Sequence, residues 1–334
     1  MHTLHLKYTL VATAAIALLT SCADGSSTPP IPLAFPQKSH AERHATSSCP
    51  CLYATNYSAS SVSAYAFGAT GSAKPIQVIT GTLKQPMGVA VDAGANIYVT
   101  NYNGGETGQG SVNVYAAGAT GNVAPIQTIQ GSNTGLDHPI GTALDPVTGD
   151  IYVADTSNDT VTAYPPDANG NVTPIATVGG GATGIDDPDN VASGNVYAAN
   201  YANNSVTVYA AGATGNVAPM RIIAGSRTKL DHLFGVAVDS ASNIYVSNQN
   251  GAVTVYAAGA NGNARPVQYI HGNTTKLKGP SGIALDGAGD IYVPSASRSW
   301  ITAYAAGSTG NVAPINKIKG TRTGLNEPFG ITIR

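Results

Sequence analysis

The sequence is poor in charge, since only 10% of its 334 residues are Asp, Glu, Lys or Arg and the formal net charge is −2. Proteins that bind nucleic acid present a strongly basic surface, so this composition predicts no nucleic-acid partner. Glutamate is especially rare and occurs only at Glu42, Glu106 and Glu327. The helical period of about 3.6 residues is absent from the apolar pattern, which argues against a helical repeat protein.

Glycine and tyrosine are abundant instead, with 39 and 17 residues, and apolar residues make up 43% of the chain. Tyrosine favours strands and glycine favours tight turns, so the composition indicates many short strands in an all-β fold. All-β domains often exceed 200 residues, so the length is compatible with one large domain.

The three cysteines fall in two places, Cys22 near the N-terminus and the pair Cys49 and Cys51 further on. With one residue between them, Cys49 and Cys51 would close only a small and strained ring. A metal site would need further ligands, and none accompany the pair. Whether these two cysteines form a bridge is left open by the sequence.

Residues 1–21 are predicted to be a signal peptide, with Lys7 ahead of an apolar stretch over residues 8–19 that is short for a membrane span. The stretch ends in Leu19-Thr20-Ser21-Cys22, which resembles the bacterial lipobox. The resemblance implies that Cys22 carries a lipid; an ordinary secretory signal with a chance cysteine is the alternative.

Residues 22–48 have the composition of a flexible linker, rich in Ser, Thr and Pro. Together with the lipid on Cys22 this predicts a protein of the bacterial cell envelope, anchored to the membrane. Asp24 does not directly follow the cysteine, so the inner-membrane retention signal is absent. An outer-membrane location is favoured, with an anchored protein that faces the periplasm as the other option. The body of the protein is predicted to span residues 49–334.

A repeat of 45 to 54 residues dominates that body. Its first mark is an apolar residue followed by Tyr, at Leu52-Tyr53, Ile97-Tyr98, Ile151-Tyr152, Val196-Tyr197, Ile244-Tyr245 and Ile291-Tyr292. A second Tyr follows about ten residues later, at Tyr65, Tyr115, Tyr164, Tyr209, Tyr256 and Tyr304. One copy holds four strand-like runs, 141–144, 151–154, 160–164 and 174–178. Four strands in a radial repeat of this length predict a β-propeller with six four-stranded blades.

Two segments, PMGVAVDAGANIYV (86–99) and PSGIALDGAGDIYV (280–293), resemble the NHL repeat. The resemblance covers residues 52–334 and implies a six-bladed propeller. Between Pro188 and Val196 the sequence DNVASGN departs from the repeat pattern, which puts the inner strand of that blade in doubt. The body begins with a second strand (52–54) and ends with a first strand (330–333). The last blade should therefore combine N-terminal strands with one C-terminal strand, which would close the ring.

Propeller topology places the second-to-third joins and the joins between blades on one face. There, Asn56, Asn101 and Asn200 are each followed by a tyrosine, Tyr57, Tyr102 and Tyr201. Exposed rings can stack on sugars or peptides, so these six residues are the predicted ligand-binding set. The alternatives are that the asparagines bond their own turns and that the rings pack as half-buried side chains.

A second set lies at equivalent positions before the inner strands: His138, Asp187, His232 and Glu327. Such groups could hold a divalent metal at the channel mouth or exchange protons, or they could be solvated rim residues. On the opposite face, the uncharged Gly-Asn loops are predicted to be simple turns.

The sequence favours a membrane-tethered, monomeric binding or interaction module without a cofactor, whose ligand is a protein, peptide or glycan. The alternative is a metal-dependent enzyme with a channel site, because six-bladed relatives include lactonases and lyases. However, the inner strands of this chain are predicted to carry no side chain that could bind a metal before their final Asp. The sequence also contains no motif typical of a catalytic nucleophile. The enzyme is therefore the second choice.

Overall fold

The computed structural model describes residues 51–105, 108–192 and 194–334, and almost every regular element in them is a β-strand. The two helical elements there are single 3-10 turns, Thr156–Asn158 and Ala296–Arg298. No helix in the described ranges has the length and apolarity to cross a membrane. The predicted signal peptide, the linker, Cys22 and Cys49 lie outside the described residues, so lipidation and the Cys49–Cys51 bridge stay predictions.

The strands form six sheets, and each contains an antiparallel run of four, inner strand first. Blade one contains β4 (Pro86–Val91), β5 (Ile97–Asn101), β6 (Ser111–Tyr115) and β8 (Gln127–Ile129). Blade two contains β9 (Pro139–Leu144), β10 (Ile151–Asp155), β11 (Thr160–Tyr164) and β12 (Ala176–Gly179). Blade three contains β13 (Pro188–Ala192), β14 (Val196–Asn200), β15 (Ser205–Tyr209) and β16 (Arg221–Ile223).

Blade four contains β17 (Leu233–Val238), β18 (Ile244–Asn248), β19 (Ala252–Tyr256) and β20 (Gln268–Ile270). Blade five contains β21 (Ala284–Leu285), β22 (Ile291–Ser295), β23 (Trp300–Tyr304) and β24 (Asn316–Lys319). Blade six contains β25 (Pro328–Ile333), β1 (Cys51–Asn56), β2 (Ser61–Ala66) and β3 (Gln77–Gly81). The chain is therefore a six-bladed β-propeller, as the repeat predicted, and the irregular third copy still forms its inner strand, β13.

Blade six is assembled from both ends of the described chain, which confirms the predicted closure. Strand β25 pairs antiparallel with β1, Leu52 opposite Ile333 and Ala54 opposite Ile331. The main chain of Cys51 and Arg334 exchanges two hydrogen bonds, N–O 3.0 and 3.1 Å, at the end of this ladder. No sheet edge is left where the ring meets, because the C-terminal strand occupies the inner edge of β1.

The Gly-Asn loops do more than turn the chain, which corrects the sequence prediction. A short strand β7 (Gly121–Val123) leaves the loop of blade one and pairs parallel with β3 of blade six. Equivalent bridges join each of the other loops to the preceding blade: Ile129–Gly170, Val178–Gly215, Ile223–Gly262, Ile270–Gly310 and Ile318–Gly71. The sequence pattern does not predict these contacts because they pair residues of different copies, about 40 positions apart except for Gly71 and Ile318 at the closure of the ring.

Apolar side chains of neighbouring blades share one core at each of the six interfaces. The third-strand tyrosines are fully buried there, and five of them donate their hydroxyl to a threonine carbonyl of the preceding interblade join. Near the axis the inner strands come so close that glycine is required. A Cβ on Gly141 would lie 2.5 Å from the Asn190 Cα. This packing fixes the inner strands and the side chains at their start.

A pocket at the mouth of the axial channel

Each blade turns into its inner strand through one residue with left-handed backbone, which we call the corner residue. The six corners have φ between 47° and 57° and are Gln85, His138, Asp187, His232, Gly279 and Glu327. Five of them are not glycine, although this conformation costs such residues about 1 kcal/mol or more. All four members of the predicted metal or acid-base set are corner residues.

The corners also position the three predicted tyrosines. The amides of Tyr57, Tyr102 and Tyr201 donate to the carbonyls of the corners Glu327, Gln85 and Asp187, with N–O distances of 3.0 to 3.1 Å. All three rings are half-buried. The structure therefore brings them together on one face, around the channel mouth.

These tyrosines line a depression of about 400 Å³, which we call the axial pocket. Its lining residues are Tyr57, Met87, Tyr102, Ile140, Thr156, Asp187, Asp189, Tyr201, Phe234, Glu327 and Phe329. Beneath them the channel narrows to a space of about 10 Å³, about the minimum for one water molecule. A ligand could therefore reach the pocket only from the tyrosine face.

Four rings form a continuous arc along one side of the axial pocket. The Tyr57 and Phe329 centroids are 5.5 Å apart, those of Phe329 and Phe234 6.0 Å, and those of Phe234 and Tyr201 5.4 Å. Phe234 and Phe329 belong to blades four and six and meet across blade five, because the equivalent residue there is the small Ser281. Its hydroxyl turns away and donates to the Pro328 carbonyl, 2.8 Å.

The residue two positions after each corner occupies what we call an axial position, and the six are Met87, Ile140, Asp189, Phe234, Ser281 and Phe329. Asp189 is the one acid among them and is only 4% exposed. Burial, and secondarily the charge of Asp187, raises the pKa of Asp189 well above its usual value. The prediction that inner strands carry no ligand-type side chain before their final Asp is therefore wrong for blade three. The sequence signal available for it was Pro188-Asp189-Asn190, because the other five blades have Gly where blade three has Asn190.

Two further carboxylates stand at the pocket rim. The corner Asp187 accepts a hydrogen bond from the Thr156 hydroxyl, and the corner Glu327 accepts one from Ser58. Burial raises the pKa of Tyr102, and the charges of Asp187, Asp189 and Asp137 contribute in the same direction. The pocket is therefore electronegative, and none of its lining residues is Lys or Arg.

The three predicted asparagines are fully buried beneath the rim. The Asn200 Oδ1 accepts the Asp186 amide at 3.3 Å, and its Nδ2 donates to the Thr207 hydroxyl at 3.1 Å. Asn56 and Asn101 bond the joins before their corners in the same way. Their Oδ1 atoms therefore bind the interblade joins rather than the turns in which the asparagines lie, and a ligand-binding role for the three residues stays a prediction.

The two predicted histidines flank the rim rings outside the lining of the pocket. The His138 ring lies 4.6 Å from that of Tyr102, and its Nδ1 is 2.6 Å from the Asp137 carboxylate. Likewise, the His232 ring lies 4.9 Å from that of Tyr201, and its Nδ1 is 2.6 Å from the Asp231 carboxylate. Within the described ranges no three His, Cys, Asp or Glu side chains are placed to hold a metal ion. The metal at the channel mouth therefore stays a prediction.

Fold and site together define a β-propeller with a one-ended pocket on its axis. A family model described as lactonase, 7-bladed beta-propeller, matches residues 45–318, and the chain belongs to that family. The described residues form six blades rather than seven, and the matched stretch stops before the closing strand β25. No curated protein matches the sequence.

Solved structures share the fold at low identity. A nidogen/laminin complex contains a chain with 16% identity and a TM-score of 0.60, and the match covers 85% of this chain and 98% of that one. A protein of unknown function from Bacteroides caccae has 11% identity and a TM-score of 0.62, with 86% and 99% covered. A streptogramin B lyase has 13% identity and a TM-score of 0.55, with 84% and 83% covered. At these identities the likeness shows the propeller fold alone.

Proposed function

We propose that this protein is a binding module of the bacterial cell envelope, built from NHL-type repeats and tethered by a lipid on Cys22. Its ligand, a peptide, glycan or protein segment, docks in the axial pocket. The observation that carries the proposal is a depression of about 400 Å³ with three rim tyrosines, beneath which the channel narrows to about 10 Å³. Half-buried tyrosines offer large contact area at little cost in side-chain entropy, which suits ligand recognition.

Peptide and glycan arrays probed with the full chain test the binding role. Replacing Tyr102 and Tyr201 with Ala should weaken the strongest signals at least tenfold. Tyr269→Ala is the matched control, because that ring stacks on His271 at 4.0 Å on an outer strand and lies outside the pocket. Signals that survive the double change, or fall equally in the control, contradict the proposal.

The tether is tested separately by labelling cells with a fatty acid that carries a detectable group. The full chain should take up label and fractionate with the outer membrane, and Cys22→Ser should abolish both. A labelled Cys22→Ser protein, or an unlabelled and soluble wild type, would refute the tether without bearing on the pocket.

Membership of the lactonase family favours a second candidate, a metal-dependent hydrolase acting at the same channel mouth. Water would add to the lactone carbonyl and the ring C–O bond would break, giving a hydroxy acid. Of the predicted ligands, Asp187 and Glu327 line the pocket while His138 and His232 flank it. Stoichiometric zinc or calcium after dialysis, lost in the His138→Ala and His232→Ala double variant, would favour the enzyme over the binding module.

A further inference from the structure

Asp189 is set among apolar neighbours at the base of the axial pocket. The axial positions on either side of it are Ile140 in blade two and Phe234 in blade four. Its carboxyl makes no hydrogen bond to any described residue, although only 4% of the residue is exposed. A largely buried carboxyl without a hydrogen-bond partner in the fold is unfavourable, and no contact within the fold accounts for an acid at this position. Since Asp189 lines the pocket, its missing partner can come from a bound ligand.

The aromatic arc defines the rest of that ligand. The rings of Phe234 and Phe329 lie at the same axial level as Asp189, and Tyr57 and Tyr201 continue the wall toward solvent. Aromatic faces attract cations with apolar substituents, most strongly where water is excluded. The arc and the carboxyl are therefore complementary to one chemical group.

The charges around the pocket have the same sign. Asp187 and Glu327 stand at the rim, and Tyr102 lies within the field of Asp187, Asp189 and Asp137. Lys84 and Lys278 precede corners on this face, but both are exposed and neither lines the pocket. An anion would therefore be repelled from the base, and a cation would be attracted to it.

A small metal ion does not suit this base. Hard cations take six or more oxygen ligands, and the side chains nearest Asp189 at the axial level are apolar. We propose that the axial pocket binds an organic cation, an ammonium group with an apolar substituent, the nitrogen against the Asp189 carboxyl and the substituent among the rings of Phe234 and Phe329. This inference rests on the proposed binding function and names the ligand class for the same site.

Three probes that share a phenylethyl group test the inference with the full chain in detergent and empty micelles as the blank: phenethylammonium, 2-phenylethanol and 3-phenylpropionate. In calorimetry, the ammonium should bind at least tenfold more tightly than the alcohol, and the carboxylate most weakly. Asp189→Asn should remove the preference for the ammonium and leave the alcohol unchanged. Asp155→Asn is the matched control, since that carboxyl is buried outside the pocket, and it should change neither affinity.

A second measurement needs no variant. Calorimetric titrations of wild type at low and high ionic strength should show that salt weakens binding of the ammonium and leaves binding of the alcohol unchanged. Equal affinity for ammonium and alcohol, or no effect of Asp189→Asn, overturns the cation site. If the probes still bind and respond to Tyr102→Ala, the proposed binding function survives that result. If no probe binds, the cation site is overturned, and the binding function fails as well only when the arrays are also silent.

Discussion

The protein buries two aspartates that break the symmetry of the repeat, one in a turn of blade two and one at the channel mouth in blade three. Asp155 stands where the other blades have Asn56, Asn101, Asn200, Asn248 and Ser295. Its carboxylate accepts the Thr162 hydroxyl at 2.8 Å and the Asp137 amide at 3.3 Å. Asp189 stands among apolar side chains and Ser281 and has no hydrogen bond from a described residue.

The difference shows that a break in repeat symmetry is not by itself a sign of function. Asp155 replaces its asparagine equivalents without loss, because the turn requires only a side-chain oxygen. That oxygen accepts a hydrogen bond from the backbone amide of the residue before the corner. Asp189 performs no such task for the fold, and its carboxyl borders the pocket. A buried polar residue that departs from the repeat is structural when the fold supplies its hydrogen-bond partner. It is a candidate functional residue when the fold supplies none.

The largest expected effect is on the free energy of unfolding when the Asp155 and Asp189 carboxyls are removed in separate variants. Asp155→Ala leaves the Asp137 amide and the Thr162 hydroxyl without an acceptor, so it should lower the free energy of unfolding by about 2 to 4 kcal/mol. Asp189→Ala removes a group that is buried without a partner, so it should not lower the free energy of unfolding and should raise it by about 1 to 3 kcal/mol. Urea unfolding at pH 6 measures both. Equal losses from the two changes would mean that Asp189 is as structural as Asp155.

The pH dependence of stability comes next. Burial raises the pKa of Asp155 to about 8, and burial raises that of Asp189 as well. A carboxyl whose pKa is higher in the folded than in the unfolded protein contributes stability that is complete below about pH 4, the unfolded pKa. That stability is lost as pH rises from about 4 through the folded pKa, by up to about 1.4 kcal/mol per pH unit for each group.

Wild type should therefore be less stable at pH 8 than at pH 5, and Asp155→Asn and Asp189→Asn should each flatten this decline. Unfolding in urea at pH 4, 6 and 8 gives the three curves. Asp155→Asn should be more stable than wild type at pH 8, because it restores the amide that Asn200 and Asn248 use. A decline that both variants share with wild type would assign it to other groups.

Much of the ring could be predicted from the sequence, because the Tyr-marked repeat fixes strand order and the two chain ends supply complementary strands. The face bearing Tyr57, Tyr102 and Tyr201 followed from topology in the same way. The Gly-Asn loops were underestimated since their partners lie in another copy, as the pairing of Gly121 with Ile79 shows.

The base of the pocket was missed for a different reason. Met87, Phe234 and Phe329 are apolar residues in apolar strands, and nothing local separates a side chain that borders a pocket from one that packs between blades. Asp189 could have been singled out from the sequence, since the Gly that follows the axial position in the other five blades is Asn190 in blade three. Its significance depends on which partners it lacks, and only the structure supplies that.

The smallest expected effect extends the comparison to tyrosine hydroxyls. The buried Tyr164 donates to the Thr134 carbonyl at 2.6 Å, whereas the hydroxyl of Tyr102 makes no hydrogen bond to a described residue. Tyr164→Phe should cost about 1 kcal/mol of unfolding free energy, and Tyr102→Phe no more than a few tenths. Thermal unfolding of both variants beside wild type measures the pair. Because the Tyr102 hydroxyl is available to a ligand, Tyr102→Phe should weaken binding on the arrays. A Tyr102→Phe protein that loses stability but binds normally would show that this residue serves the fold rather than the site.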